Sequence, residues 1–228
     1  MMSAEVVTQP AAPSLVLVVG AGLTALLIVG LGWAVTRYAI TIAHEGGHAL
    51  TASSLGVRVA GIVIDSRGGE TKSDLVPGSA NDFLITLAGY VAPSLFGLGG
   101  AILLNVGQVR NVLWLSLGFL VCALFMSRNP VTVVKVGLTL LCILAVLRYA
   151  GAGFQTFFAY AWIWFLLIGG VRSVLNLSRI RETGRDTVSD VYFLQKSSYL
   201  PASLWIGFYG LFSFASLVLG ALILSDSL

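Results

Sequence analysis

The segment His44-Glu45-Gly46-Gly47-His48 contains both histidines of the 228-residue chain, and apolar sequence flanks it on both sides. Residues four apart on a helix lie on one face, so this spacing predicts a helix on which His44 and His48 can bind one metal ion. Glu45 adjoins the first histidine, where its carboxylate can take a proton from a metal-bound water. The alternative is a chance string whose histidines only form hydrogen bonds inside a helix bundle. Burying Glu45 without a partner would be costly, which favours the metal site.

The composition is typical of a membrane protein. Hydrophobic residues make up 57% of the chain and charged residues 10%, whereas soluble domains contain about 25% charged residues. The net charge is +3 and the positive residues are scattered singly, so no nucleic-acid partner is expected. Cys122 and Cys142 lie in apolar runs without a second cysteine nearby, which argues against thiol ligands or a disulfide. The expected environment is a lipid bilayer.

Apolar runs divide the chain into six or seven membrane segments, since a helix needs about 20 apolar residues to span a bilayer. We predict these segments near residues 15–35, 39–54, 83–106, 112–126, 131–147, 154–175 and 200–224. The predicted fold class is an all-α polytopic membrane protein, with a flexible N-terminus at 1–14 and a single transmembrane domain at 15–225. No Lys or Arg precedes the first apolar run, so that run is expected to be a retained span. Whether 39–54 continues the first helix or turns back as a separate one stays open.

Residues 55–80 differ from the apolar runs on either side. β-branched residues are frequent at 57–64, and Ser66-Arg67-Gly68-Gly69-Glu70-Thr71 has the composition of a turn. This pattern predicts a small β strand or hairpin at the membrane edge. It should be interfacial or packed on helices, because an open strand edge cannot face lipid. The longest polar stretch, 176–198, is predicted to be a loop.

The positive residues predict the orientation of the chain. Three loops that alternate to the same side contain Arg58, Arg67, Lys72, Arg128, Arg179, Arg181, Arg185 and Lys196. The positive-inside rule places that side in the cytoplasm, although Arg110 and Arg148 fall on the other side. The histidine segment begins after Arg37 on the positive side, so the metal site is expected towards the cytoplasm.

A catalytic zinc site needs a third protein ligand, which here should be an acid because no histidine remains. Asp190 is the first choice, since it lies where the polar stretch meets apolar sequence, and Asp186 is the second. Ser189-Asp190 could equally cap a helix. The remaining candidates are Glu5, Asp65, Glu70, Asp74, Asp82, Glu182 and Asp226. Those at the termini and in the predicted hairpin are expected to be exposed or remote.

Two further features have open interpretations. Gly46 and Gly47 each lower helix propensity by about 1 kcal/mol, so they are expected to allow close approach of a neighbouring helix or of an extended substrate. Asn129, near a span end, could bind a substrate backbone or a catalytic oxyanion. An Asn in this position more often caps a helix, and that interpretation is favoured.

Three runs of sequence resemble the site-2 protease family of intramembrane zinc metalloproteases. They are HEGGHAL at 44–50, the small-residue run LAGYVAPS at 87–94, and Ser189-Asp190 followed by LPASLW at 200–205. The last run resembles the compact bacterial branch often called peptidase M50B-like, and the resemblance covers residues 38–210. It implies that His44 and His48 are zinc ligands, that Glu45 is the catalytic base, and that an acid near the carboxyl end is the third ligand.

The chain also departs from the better-known members of that family. They carry the ligand aspartate in an LDG or NPDG context, whereas here Asn129-Pro130 is followed by Val131-Thr132. That span therefore cannot supply the third ligand. The 53–80 stretch is too short for a PDZ-like insert, so filtering of substrates by such a domain is not expected.

The leading interpretation is an intramembrane zinc metalloprotease of a bacterial inner membrane. Its substrate would be a membrane-protein segment that unwinds locally, because a helix hides its carbonyls in hydrogen bonds. The strand near 57–64 could pair with that segment by β-augmentation. The alternative is a non-proteolytic membrane protein, either an inactive family member or a metal-binding transporter. Transporters tend to show inverted repeats and several intramembrane ligands, and the sequence shows no clear repeat and one metal cluster.

Overall fold

A computed structural model describes residues 13–65, 68–184 and 186–226. Most of the predicted flexible N-terminus, together with Glu5, Arg67 and Arg185, lies outside the described residues. The elements in the described part are α1 (Leu15–Leu31), α2 (Trp33–Ser54), β1 (Val59–Ile64), β2 (Gly69–Ser73), α3 (Ala80–Asn105), α4 (Val109–Met126), α5 (Pro130–Tyr149), α6 (Ala152–Glu182), α7 (Asp190–Ser198) and α8 (Ala202–Asp226).

The predicted fold class is confirmed. Helices α3, α4, α5, α6 and α8 are each long and apolar enough to cross a membrane. Helices α1 and α2 form a bent pair that adds a sixth span if the pair is counted as one. The chain is therefore an integral membrane protein with five to six candidate spans among its described residues, at the lower end of the predicted six or seven segments.

The histidine segment lies on its own helix, α2, which is bent 107° from α1 at Gly32. The N–H of Gly32 donates to Ile28 O at 2.9 Å, and its carbonyl accepts from Thr36 N at 2.9 Å, so one residue ends α1 and begins α2. A Cβ at position 32 would lie 2.8 Å from Ile28 O, which explains the glycine. The predicted first span, 15–35, was wrong at its end, because the local hydropathy does not reveal the bend. Helix α1 ends at Leu31, and α2 starts at Trp33.

Both glycines of the histidine segment face neighbouring helices. A Cβ at Gly47 would lie 3.1 Å from Ala88 O of α3, and a Cβ at Gly46 would lie 2.6 Å from Phe119 Cε2 of α4. The observed role of Gly46 and Gly47 is thus helix packing, one of the two predicted interpretations. This close packing holds the histidine-bearing part of α2 against α3, with the Phe119 ring of α4 over Gly46.

The β hairpin is confirmed, and it packs against α2. Strands β1 and β2 are antiparallel, with Ile62 opposite Thr71 and Ile64 opposite Gly69. The predicted turn was too long, since Gly69 to Thr71 belong to β2. On its other edge β1 forms a bridge from Ile62 to Ser127, and Arg128 N donates to Ile62 O at 3.0 Å. Within the described residues β1 is therefore the inner strand, and β2 has the open edge.

The prediction that 176–198 is a loop was wrong. Helix α6 continues to Glu182, and α7 begins at Asp190. Ser189 is the N-cap of α7, and its hydroxyl accepts from Tyr192 N at 3.3 Å. Val191 and Leu194 are fully buried, in a cluster with side chains of α6 and α8. Two apolar residues three apart are enough to dock one short helix face, although the stretch is polar on average.

Candidate metal centre

The structure brings His44 and His48 of α2 together with Asp190 at the start of α7. The two histidine Nε2 atoms are 3.2 Å apart. Asp190 Oδ2 lies 3.3 Å from His44 Nε2 and 3.4 Å from His48 Nε2. The alternative prediction was that Ser189-Asp190 caps a helix. Ser189 forms that cap, and the Asp190 carboxylate is directed at the histidines.

The surroundings of His48 and Asp190 leave a lone pair of each directed at the same point. His48 Nδ1 lies 2.6 Å from Ile85 O. Because a carbonyl only accepts, Nδ1 carries the proton, and Nε2 is left with a free lone pair. Asp190 Oδ2 is buried and forms no hydrogen bond within the described part of the chain. Three electron-rich atoms that converge in this way repel one another unless a cation lies between them.

The spacing of the three donors fits a zinc ion. Tetrahedral zinc with ligand bonds of about 2.0–2.1 Å places its ligands about 3.3 Å apart. The three observed separations are 3.2, 3.3 and 3.4 Å. Three protein donors are also the number that catalytic zinc sites use, since the fourth position is kept for water or substrate.

Glu45 lies beside the donors but is not one of them. Its Oε1 is 3.9 Å from His44 Nε2, and the residue is 2% exposed. The hydroxyl of Thr71 on β2 lies 2.7 Å from Glu45 Oε2 and donates to it. Gly69 packs against the Glu45 side chain, and a Cβ at Gly69 would lie 2.7 Å from Glu45 Cδ. The hairpin therefore positions the Glu45 carboxylate, a role for Thr71 and Gly69 that the sequence did not reveal.

Asp186, the second choice for third ligand, is engaged elsewhere. Its Oδ2 lies 2.6 Å from Arg181 Nη1, and its carboxylate accepts from Ser189 N at 3.0 Å and from Ser189 Oγ at 2.5 Å. Burial acts to raise the pKa of Asp186, but the hydrogen bonds from Ser189 and Arg181 outweigh it and lower that pKa. Asp186 thus ties the start of α7 to the end of α6, where it can orient Asp190.

Asn129 has the geometry of a helix cap. Its Oδ1 accepts from Thr132 N at 2.9 Å at the start of α5, and its Nδ2 donates to Ile64 O at 3.3 Å. These contacts join α5 to the end of β1. Asn129 is absent from the described residues that line the cavity beside the donors, and its role in substrate binding stays a prediction.

A cavity of about 250 Å³ opens beside the donors. Its lining includes the side chains of Trp33, Arg37, His44, Glu45, Tyr90, Ser173, Asn176 and Asp190. Arg37 was not predicted to line a site, although it lies seven residues before His44 and so on the same helix face. Tyr90 and Asn176 were not predicted either, because their helices reach the cavity only through tertiary packing.

The Gly89→Ala substitution is expected to weaken zinc binding by about 10- to 100-fold, the effect usual for changes just outside a metal's ligands. The added Cβ would lie 2.5 Å from His48 Nε2 and 2.6 Å from Asp190 Oδ2, so the donors must separate. The zinc affinity is measured by titrating the purified protein with a chelator and determining the zinc that remains per chain. Gly99→Ala on the same helix is the control, because nothing lies within 4 Å of a Cβ there. Equal zinc affinity in the two variants would contradict the prediction.

A sequence model of the family described as Peptidase M50B-like matches residues 15–220 of this chain. The match extends from the start of α1 into α8 and includes all three donors and Glu45. No curated protein and no solved structure matches the chain.

Proposed function

Because this chain belongs to the Peptidase M50B-like family, and so to the site-2 protease family of membrane metalloproteases, we propose that it is an intramembrane zinc metalloprotease. The observation that supports this most is the group formed by His44, His48 and Asp190, whose donor atoms have tetrahedral spacing next to the buried carboxylate of Glu45. We propose that residues 15–225 act as one transmembrane domain that cleaves membrane-embedded protein segments.

In this proposal His44, His48 and Asp190 hold the zinc ion, and His48 is oriented by its bond to Ile85 O. Zinc held there would act as a Lewis acid that polarises a carbonyl and makes water a stronger nucleophile at neutral pH. Glu45 is the general base, which takes a proton on Oε1 and returns it to the leaving amine. Thr71 occupies Oε2 with its hydroxyl proton, so it directs the free oxygen of Glu45 towards the histidines.

We propose that the substrate segment binds in extended form along β2. The strand near 57–64 was the predicted partner of this segment, but β1 is covered on one edge by β2 and on the other by Ser127 and Arg128. Strand β2 has the open edge, and its residues Gly69 and Thr71 contact Glu45. Pairing by β-augmentation supplies backbone hydrogen bonds that an unwound helix has lost.

We further propose that the site faces the cytoplasmic side of a bacterial inner membrane. Arg58 directly precedes β1, and Lys72 belongs to β2. Arg128 donates from Nε to Ala60 O of β1 at 2.5 Å. Arg179 and Arg181 lie in the last turn of α6, next to the segment that leads to Asp190. Positive residues at the hairpin and at the end of α6, the two elements that adjoin the site, agree with the positive-inside rule.

The first test is the zinc content of the purified protein. We expect about one zinc per chain in the wild type and a loss of zinc in His44→Ala and in His48→Ala, because each removes one of three donors. Cys142→Ala is the control, since Cys142 is an exposed cysteine on α5 outside the donor group. Elemental analysis that finds no zinc in the wild type, or equal zinc in all four proteins, would contradict the proposed metal site.

A second measurement separates the protease from the non-proteolytic alternative. The zinc-loaded wild type is incubated in proteoliposomes with a single-span reporter, and cleavage products are identified by mass spectrometry. A protease yields one or a few cuts within the span. Transport of zinc into the vesicle lumen without any cut would favour a metal transporter instead.

A further inference from the structure

The ring of Tyr90 is held beside a candidate zinc ligand. It lies edge-on to the His44 imidazole, with the ring centroids 4.6 Å apart and the planes at 83°. Its other neighbour is the ring of Tyr209 on α8, at a centroid distance of 5.2 Å. Tyr90 also lines the cavity that contains His44, Glu45 and Asp190. Contacts from two helices therefore fix this side chain at the wall of the site.

The two tyrosines use their hydroxyl groups differently. The hydroxyl of Tyr209 donates to Leu87 O at 3.2 Å and so serves the packing of α8 on α3. Within the described residues, the hydroxyl of Tyr90 forms no hydrogen bond, and Tyr90 is only partly buried. A phenol that reaches a polar cavity without a partner is an available donor.

The proposed reaction needs a donor at this wall. When water attacks the scissile carbonyl, its oxygen bonds to the carbonyl carbon, the π electron pair moves to the carbonyl oxygen, and the water proton passes to Glu45. Zinc held by the donors would supply positive charge on one side of the developing oxyanion, and a hydrogen-bond donor on another side would stabilise it further. Glu45 serves as the base and the hydroxyl of Thr71 donates to it, so neither of these side chains is left for the oxyanion.

We propose that the hydroxyl of Tyr90 donates a hydrogen bond to this oxyanion, and that Tyr90 is a catalytic residue of the reaction. The inference rests on the proposed protease function. Tyr90 keeps its proton throughout, since stabilisation needs only the hydrogen bond. Asn129, which the sequence analysis considered for this role, is used at the start of α5. Arg37 also lines the cavity, but its Nη2 donates to the Tyr38 hydroxyl at 3.3 Å, so its guanidinium is engaged there.

Tyr90→Phe tests the inference, because the substitution keeps the ring against His44 and removes only the hydroxyl. We expect kcat for a fluorogenic single-span reporter in detergent micelles to fall about 10²-fold, the effect of losing one oxyanion donor. KM for the reporter and zinc per chain should stay at their wild-type values. Tyr209→Phe is the matched control, since it also deletes one phenol but outside the cavity, and its kcat should stay near that of the wild type.

A binding measurement gives a readout that does not depend on turnover. The probe is a phosphinic peptide, whose tetrahedral anionic group resembles the attacked carbonyl. Tyr90→Phe should weaken its binding by about 10²-fold, and binding of the carboxylate product peptide should change much less. Tyr209→Phe should bind both peptides as the wild type does.

Each outcome separates the inference from the proposed function. A wild type that neither cleaves the reporter nor binds the phosphinic peptide overturns both. An active wild type with an equally active Tyr90→Phe overturns only the role of Tyr90. If Tyr90→Phe loses zinc and activity in parallel, Tyr90 has a structural role around His44, and the inference is also overturned.

Discussion

Glu45→Gln is expected to abolish peptide-bond cleavage while the protein keeps its zinc. Glu45 Oε1 lies 3.9 Å from His44 Nε2, outside the donor group, so the metal loses no ligand. The amide of Gln has the shape of the carboxylate and still accepts a hydrogen bond from Thr71, but it cannot take a proton. Loss of general-base catalysis should lower kcat by at least about 10²-fold.

The measurement pairs turnover of the single-span reporter with zinc per chain in the same preparation. Glu182→Gln is the matched control, because Glu182 is an exposed acid at the end of α6, outside the donor group and the hairpin. It makes the same chemical change, and its turnover should stay within about 2-fold of the wild type, as for most surface substitutions. Turnover by Glu45→Gln close to that of the wild type would exclude Glu45 as the base.

Asp190→Asn is expected to lose zinc and activity together. Asp190 Oδ2 is the third atom of the donor group, and it is buried without a hydrogen bond among the described residues. An amide is a much weaker zinc ligand than a carboxylate, and it adds no negative charge. The loss of zinc affinity should exceed the about 10- to 100-fold that changes outside the ligand shell cause.

Asp186→Asn is the control for Asp190→Asn, since Asp186 was the other candidate ligand. It removes the ion pair with Arg181, so it should lower the free energy of unfolding but leave most of the zinc bound. The lowered pKa of Asp186 in the folded protein means that its contribution to stability is present at neutral pH and is lost as the pH falls below about 4. If Asp186→Asn loses zinc and Asp190→Asn keeps it, the assignment of the third ligand is reversed.

The sequence determined those features that depend on neighbours along the chain. Hydropathy runs of about 20 residues predicted the long helices, and β-branched residues next to a glycine-rich turn predicted the hairpin. The spacing of His44 and His48 placed both imidazoles on one helix face, because residues four apart are adjacent there. The resemblance of HEGGHAL and LAGYVAPS to the site-2 proteases was enough to predict the family that the later match shows.

Tertiary structure alone decided which groups meet these histidines. Asp190 was preferred to Asp186 because it lies where the polar stretch meets apolar sequence, but that position fits a helix cap equally well. Packing of Val191 and Leu194 turns α7 so that Asp190 faces α2, while Arg181 and Ser189 bind Asp186. The bond from Thr71 to Glu45, the position of Tyr90 against His44 and the bend at Gly32 arise in the same way. Such contacts join residues that are distant in sequence. They depend on how the buried apolar surfaces fit together in three dimensions. Hydropathy and helical periodicity depend only on neighbours along the chain.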